Sequence, residues 1–373
     1  MSVDTVRSRS EVPFFDLGSM HAGLKEALLA DFGDLIDSGA FTNGPAVGEF
    51  ERAFARLCGV HRCVGVSSGL DALRIALLAA GIERGDEVVL PALTFAATFE
   101  AVTQAGGVPV PADVSEADYN LDAAAARAAI GPSTRFLLPV HLYGQLADMR
   151  ALAALGTQLV EDACQAHGAS RDGVDAGAGG VAAAFSFYPA KNLGAFGDAG
   201  ALVTHDDVLA ETAIALREHG QRAKYRHEHE GYTARLDTIQ ALVLLRKLPL
   251  LAEWTAQRRH VARLYVDALA GVGDLRLPPV PNGSEPVWHL FPIRTRRPAE
   301  LAAFLAERGI GSGRHYPEPP HLARAYEWLG FRAGAFPVAE ALAGELLSLP
   351  IFPGMTEEQV AIVAHAVAEW FHG

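Results

Sequence analysis

Cysteine is scarce: only Cys58, Cys63 and Cys164 occur among 373 residues. An odd and small count makes no disulfide framework. "CGVHRC", with no second pair downstream, makes no zinc spacing. Reduced thiols in a cytoplasmic protein are the expectation. No apolar run approaches the roughly 18 residues of a membrane span, and the opening "MSVDTVRSRSEVPFFDL" has no apolar signal core. Basic residues are also short, 31 against 44 acidic ones, for a net charge of −13. That balance argues against nucleic acid or an anionic membrane as partner. A small anionic substrate stays open, because local cations decide its binding. Internal repeats and low-complexity tracts are lacking as well.

What is present is the mixture of a folded chain, 50% hydrophobic and 20% charged. The length exceeds what one hydrophobic core usually holds, so a large domain over residues 1–250 and a smaller one over 251–373 are expected. Through the first two thirds, short apolar runs alternate with helical patterns. "RCVGVSS" precedes "DALRIALLAAG", "DEVVLPA" precedes "TFEAVTQAG", and "VPVPADV" precedes "LDAAAARAAI". "TRFLLPVHLYG", "TQLVEDA", "VAAAFSFY" and "GALVTHD" continue the series. This rhythm predicts an α/β fold, a mainly parallel sheet flanked by helices. From about Asp237 a long helical stretch bent at a proline is expected. A smaller α+β unit follows, with a strand in "VWHLFPIR" and helices in "PAELAAFLAERG" and "TEEQVAIVAHAVAEWF".

Open α/β sheets bind ligands beyond the carboxyl ends of their strands, and three groups fall there. "VSSGLDAL" ends a strand at Ser67, Ser68 and Gly69 and then opens a helix, whose free amides suit a phosphate; an ordinary capped turn has the same pattern. "VEDACQAHG" brings Glu161, Asp162, Gln165 and His167 to another strand end, as a helix cap or as a buried carboxylate facing a cation. Lys191, in "FSFYPAKNLGAFGDAGALVT", sits among small residues that let backbone pack closely around it. Such an amine is either solvated or, with its pKa lowered, able to form a Schiff base with an aldehyde. A phosphate cradle, a carboxylate and a reactive lysine together are what pyridoxal 5′-phosphate (PLP) requires.

The motifs "VSSGLDAL", "PALTFAAT", "EDACQAHGA", "SFYPAKNLGAFGDAGALVT" and "GYTARLDTIQA" stand in the order seen in the DegT/DnrJ/EryC1/StrS sugar aminotransferases, which this chain resembles almost end to end. The resemblance implies a fold-type I PLP enzyme, a homodimer with active sites between subunits. It implies Lys191 as the Schiff-base lysine, Asp162 as the carboxylate at the ring nitrogen and Gln165 near the phenolic oxygen. Phe95 would stack on the ring, Ser186 would bind phosphate, and Gly69 and Leu70 would offer helix-start amides. Leu70 replaces a threonine common in relatives. Thr233 replaces an asparagine that commonly reaches the partner's phosphate. Arg235, Tyr143, His315 and Tyr316 are implied substrate contacts. "GLDAL" resembles the subgroup making 3-amino sugars. The implied reaction moves an amino group from L-glutamate to a nucleotide-linked 3-keto-6-deoxyhexose, with a 4-keto sugar nucleotide or a keto-cyclitol as the alternatives. A dehydratase of the same family, which typically has histidine at the lysine position, and a catalytically silent regulator are further from these residues.

Overall fold

The computed structural model describes residues 12–372. The first eleven residues, which hold most of the stretch read for a signal core, lie outside the described residues.

A seven-stranded sheet organises the first two thirds of the chain. Its strands are β1 (Arg62–Val66), β2 (Glu87–Pro91), β3 (Val108–Ala112), β4 (Thr134–Leu137), β5 (Gln158–Asp162), β6 (Ala182–Ser186) and β7 (Gly200–Thr204). The spatial order is β1-β7-β6-β5-β4-β2-β3. β7 runs antiparallel to both of its neighbours, and the remaining pairings are parallel. The alternating apolar runs therefore became the mainly parallel, mixed sheet that their rhythm predicted.

Side chains alternate across the sheet and build two cores. Val64, Val88, Leu90, Phe136, Val160 and Leu202 pack on one face with the helices Gly69–Ala79 and Ala96–Gln104. Cys63, Val89, Leu137, Leu159, Phe185 and Val203 pack on the other with the helix Pro45–Leu57. The two-residue period also sends Glu161 and Asp162, at the end of β5, to opposite faces.

The long helical stretch is bent where expected. A helix over Thr238–Lys247 passes through a tight turn at Pro249 into a helix over Leu251–Leu269. Proline cannot supply the amide that an unbroken helix needs there. A third core joins Val261, Tyr265 and Leu269 to Phe291, Ile293, Leu301, Leu347 and Val363. The strand expected across "VWHLFPIR" is confined to Phe291–Arg294, which pairs antiparallel with Leu346–Leu349. Val12 is fully buried in this third core and bridges to Ile310, so the start of the described chain packs on its C-terminal part.

Buried Arg258 ties the long helix to the segment below it, donating to the carbonyls of Trp288, His289 and Ile351 at 3.1, 3.4 and 2.8 Å. Burial lowers its pKa to about 9. Three carbonyl acceptors in place of a carboxylate make it a strut for the residues beside the cavity described next.

Candidate active site

At the carboxyl ends of β1, β5 and β6 lies a cavity of about 490 Å³, the place where an open α/β sheet offers a ligand site. Ser68, Gly69 and Leu70 line one end of it. Ser68 caps the helix Gly69–Ala79, its hydroxyl accepting from the Asp71 amide at 3.0 Å. The preceding amides, of Gly69 and Leu70, belong to the first turn and have no intrahelical acceptor. Gly69 is required here by space: a Cβ would stand 2.7 Å from Ser186 Cβ and 2.8 Å from Cys164 Sγ. Gly200 is similarly confined, a Cβ there falling 2.3 Å from the Ser68 carbonyl oxygen. The result is a narrow, amide-lined end with the positive pole of a helix dipole, suited to a phosphate.

Asp162, at the end of β5, is 6% exposed. One oxygen accepts from the Thr98 hydroxyl at 2.9 Å and the other from the Cys164 amide at 3.2 Å. Thr98 in turn lies 2.7 Å from the Thr94 hydroxyl. These contacts fix the carboxylate and leave acceptor capacity turned to the cavity, which Asp162 lines. Its neighbour Glu161 is structural. It is fully buried on the opposite face, 2.8 Å from His141 Nε2, and takes amides of Gly177, Gly179 and Gly180 at 2.8–2.9 Å. Because His141 Nδ1 accepts from the Ala147 amide, Nε2 carries the proton donated to Glu161. Four donors to one carboxylate anchor β5 from below.

Lys191 lines the cavity from a turn in which its amide donates to the Tyr188 carbonyl at 2.8 Å. Its amine has no hydrogen-bond partner among the described residues. Burial lowers the pKa of that amine, while Cys164 and Asp162 act in the opposite direction. A lysine so placed is a better nucleophile near neutral pH than a solvated one. The small residues after it serve the turn, since a Cβ on Gly194 would meet the Pro189 carbonyl at 2.3 Å.

The far wall holds Phe95, Gln165, His289, His315 and Tyr316. The Phe95 ring is 53% exposed and lies 5.2 Å from that of Tyr316. Gln165 is set by two bonds, accepting from the Tyr143 amide at 2.7 Å and donating to the Tyr316 hydroxyl at 3.1 Å. His315 contacts Ser348 at 3.0 Å and stacks on Phe14. Burial, then the nearby Lys191, lowers its pKa to about 4. His289 bonds Asn192, whose amide nitrogen donates to the Val287 carbonyl at 2.9 Å.

Three expected contacts stand elsewhere. Tyr143 is buried behind the wall with its backbone at φ 61°, and its hydroxyl donates to the His315 carbonyl. It supports the His315–Tyr316 segment and does not line the cavity. Thr233 and Arg235 are also away from this chain's cavity. Thr233 is exposed, 3.4 Å from the His219 ring, and Arg235 pairs with Glu218 at 2.7 Å. Thr98, Asn192 and His289 were not singled out from the sequence. Only the threonine repeat in "LTFAAT", with Thr94 just before and Thr98 within the first turn of the helix Ala96–Gln104, carried a signal for the first of them.

The donor set fits PLP: amides and small residues for a phosphate, a fixed buried carboxylate, a flat ring at the wall and an unpartnered amine. Residues 23–368 match the DegT/DnrJ/EryC1/StrS aminotransferase family. The chain belongs to this family. It is 46% identical over 370 residues to the dTDP-3-amino-3,4,6-trideoxy-alpha-D-glucose transaminase of Streptomyces venezuelae, covering 97% of this chain and 98% of that protein. It is also 46% identical over 352 residues to the erythromycin biosynthesis sensory transduction protein EryC1 of Saccharopolyspora erythraea, covering 93% and 96%. The crystal structure of S. venezuelae DesV in complex with a ketimine intermediate superposes with a TM-score of 0.95 at 45% identity, covering 97% of this chain and 99% of that one.

Proposed function

We propose that this protein is a PLP-dependent aminotransferase that moves an amino group from L-glutamate to carbon 3 of a dTDP-linked 3-keto-6-deoxyhexose. The observation that carries the reading is the unpartnered Lys191 amine in one cavity with the Asp162 carboxylate and the Gly69–Leu70 amides. When bound, PLP supplies an aldehyde for amines and a ring that takes up the electron pair released when the donor's α-carbon loses its proton. Asp162 keeps a proton on the ring nitrogen, held in place by Thr98 and the Cys164 amide. Lys191 would serve as the general base that takes the donor's α-proton and as the acid that returns it to the carbon of the group's former aldehyde. Gln165 and Tyr316 orient the phenolic side, and Phe95 covers the ring face. Ser186 and the first amides of the Gly69–Ala79 helix bind the phosphate. His315 and Tyr316, on the wall facing the lysine, meet the sugar. Donor and acceptor use one site in turn, which gives ping-pong kinetics.

Two structural features support a homodimer with shared sites. Thr233 is exposed, and Arg235, paired with Glu218, lies outside this chain's cavity, an arrangement that accords with service to a second copy. Among the described residues no helix is long and apolar enough to cross a membrane, and all three cysteines are free, in keeping with a cytoplasmic enzyme. For the domain division at residues 250 and 251, the third core, built from Val12 and residues 261–367, speaks in favour, while Leu251, Val287, Leu290, Tyr326 and Phe336 pack into the cores of the larger part. Carbon 3 is supported by the S. venezuelae transaminase, whose product name places the amine there.

The test is a panel of 3-keto and 4-keto sugar nucleotides and keto-cyclitols. Each is added to enzyme first bleached with L-glutamate, with return of the visible absorption and mass spectrometry of the product as readouts. Return with the 3-keto sugars is expected; return with 4-keto sugars alone would overturn the carbon 3 assignment.

A further inference from the structure

Lys247 has no exposed surface, although it closes the helix Thr238–Lys247 rather than entering the cavity. Among the described residues no carboxylate pairs with it. Its amine donates to the Gly194 carbonyl and lies 3.0 Å from Nε2 of His21. The rings of Phe196 and Trp254 stand 5.8 and 5.7 Å away. Burying an ammonium without a counter-ion opposes folding. Two neutral acceptors and two ring faces offset this only in part.

What Lys247 grips is the turn that follows the reactive lysine. Gly194 comes three residues after Lys191. Its lack of a Cβ lets the chain fold back on Pro189, and the next amide, of Ala195, donates to the Phe187 carbonyl at 2.7 Å. The same helix takes a second hold. Gln240, seven residues before Lys247 and so on the same face after two turns, accepts from the Phe196 amide at 2.8 Å. One side chain thus donates to a carbonyl of the turn and the other accepts from an amide two residues on. Both groups arise from a helix that is anchored independently of the turn, since its Thr238 hydroxyl accepts from the Gly44 amide at 3.1 Å.

We propose that Lys247 is a positioning residue for Lys191: by holding the Gly194 carbonyl, with Gln240 holding Phe196, it fixes the turn that sets where the Lys191 amine stands in the cavity. The proposal rests on the aminotransferase reading, and the experiment separates the two.

The test compares PLP-loaded wild type with Lys247→Met and Lys247→Gln. Methionine fills the space between Phe196 and Trp254 and removes the buried charge. The urea midpoint of Lys247→Met should therefore equal or exceed that of wild type. Its kcat should fall about 10- to 100-fold, the range a misplacement near 1 Å produces, with KM for L-glutamate within about threefold. The rate at which added PLP develops its Lys191-bound visible band should fall as well, a readout that needs no turnover. Lys247→Gln, which keeps an N–H donor, should recover part of both rates. Wild-type kcat and capture rate in Lys247→Met would overturn the proposal. So would activity falling only in step with stability and unrelieved by glutamine. If wild type captures PLP but ignores every donor, the aminotransferase reading fails while the capture rates still decide the role of Lys247.

Discussion

Thr98→Val removes one oxygen from the support of Asp162 and, with it, the partner of the Thr94 hydroxyl. Valine has the shape of threonine, and Thr98 is fully buried in a helix packed on the sheet, so the volume is kept. The lost contacts are the 2.9 Å bond from its hydroxyl to the carboxylate and the 2.7 Å contact with the buried Thr94 hydroxyl. Hydrogen bonds to charged groups contribute about 1.5–3 kcal/mol, more than neutral ones. Part of this is regained, since Asp162 keeps the Cys164 amide at 3.2 Å and, in the loaded enzyme, the ring N–H. A net loss of about 1.4 kcal/mol in the transition state corresponds to tenfold in kcat/KM. Steady-state kinetics with L-glutamate, beside urea unfolding of the PLP-free protein, separates function from folding. The expectation is kcat/KM about tenfold lower and PLP affinity weakened in the same direction. Values within twofold of wild type for both would show that Thr98 does not orient Asp162, and the assignment of Asp162 as a fixed carboxylate would lose its support.

Gly69→Ala should weaken PLP binding about 10-fold or more in a fluorescence or absorbance titration, because the new methyl meets Ser186 and Cys164 below 3 Å; overpacking of this kind costs about 1–3 kcal/mol. Unchanged affinity would remove the phosphate from that end of the cavity. Stability should fall on acidification between about pH 6.5 and 4. In the fold, burial first and then a neighbouring lysine lowers the pKa of His21 and of His315 to about 4. The unfolded chain therefore binds more protons in that window, and the contribution, complete above pH 6.5, is lost as the pH falls towards 4. The urea midpoint against pH reads it, and His315→Gln should flatten part of the slope; a level midpoint across the window would contradict it. Arg235→Ala should leave the unfolding midpoint nearly unchanged, since a partly exposed ion pair contributes little, yet lower kcat/KM for the sugar if a second copy uses it; equal kinetics would return Arg235 to a surface pair.

The sheet was legible because each strand is a short apolar run bounded by glycine or proline, and the parallel rhythm left few alternatives. β7 runs against its neighbours because the connection from β6 through Lys191 holds no helix to carry the chain back across the sheet. The reactive centre was legible wherever chemistry and sequence position coincide, as at Lys191, Asp162 and the "SSGLDAL" helix start. Support was not. Thr98 acts on Asp162 from 64 positions away and Gln165 on Tyr316 from 151, pairings that only the folded chain creates. Glu161 and Asp162, adjacent and chemically alike, were divided by the two-residue period of β5 into an anchor and a site group. Tyr143 shows the converse, a residue with suitable chemistry whose left-handed backbone turns it to the rear of the wall. Lys247 gave no signal at all, because a lysine closing an amphipathic helix ordinarily reaches solvent.

The most direct measurement follows the nitrogen. Enzyme loaded with PLP is given nitrogen-labelled L-glutamate and the dTDP-linked 3-keto-6-deoxyhexose, and the products are read by mass spectrometry and NMR. The account predicts labelled nitrogen on carbon 3 of the sugar, one 2-oxoglutarate for each amino sugar, and no transfer by Lys191→Ala. Label that never reaches the sugar, or transfer that persists in Lys191→Ala, would contradict it.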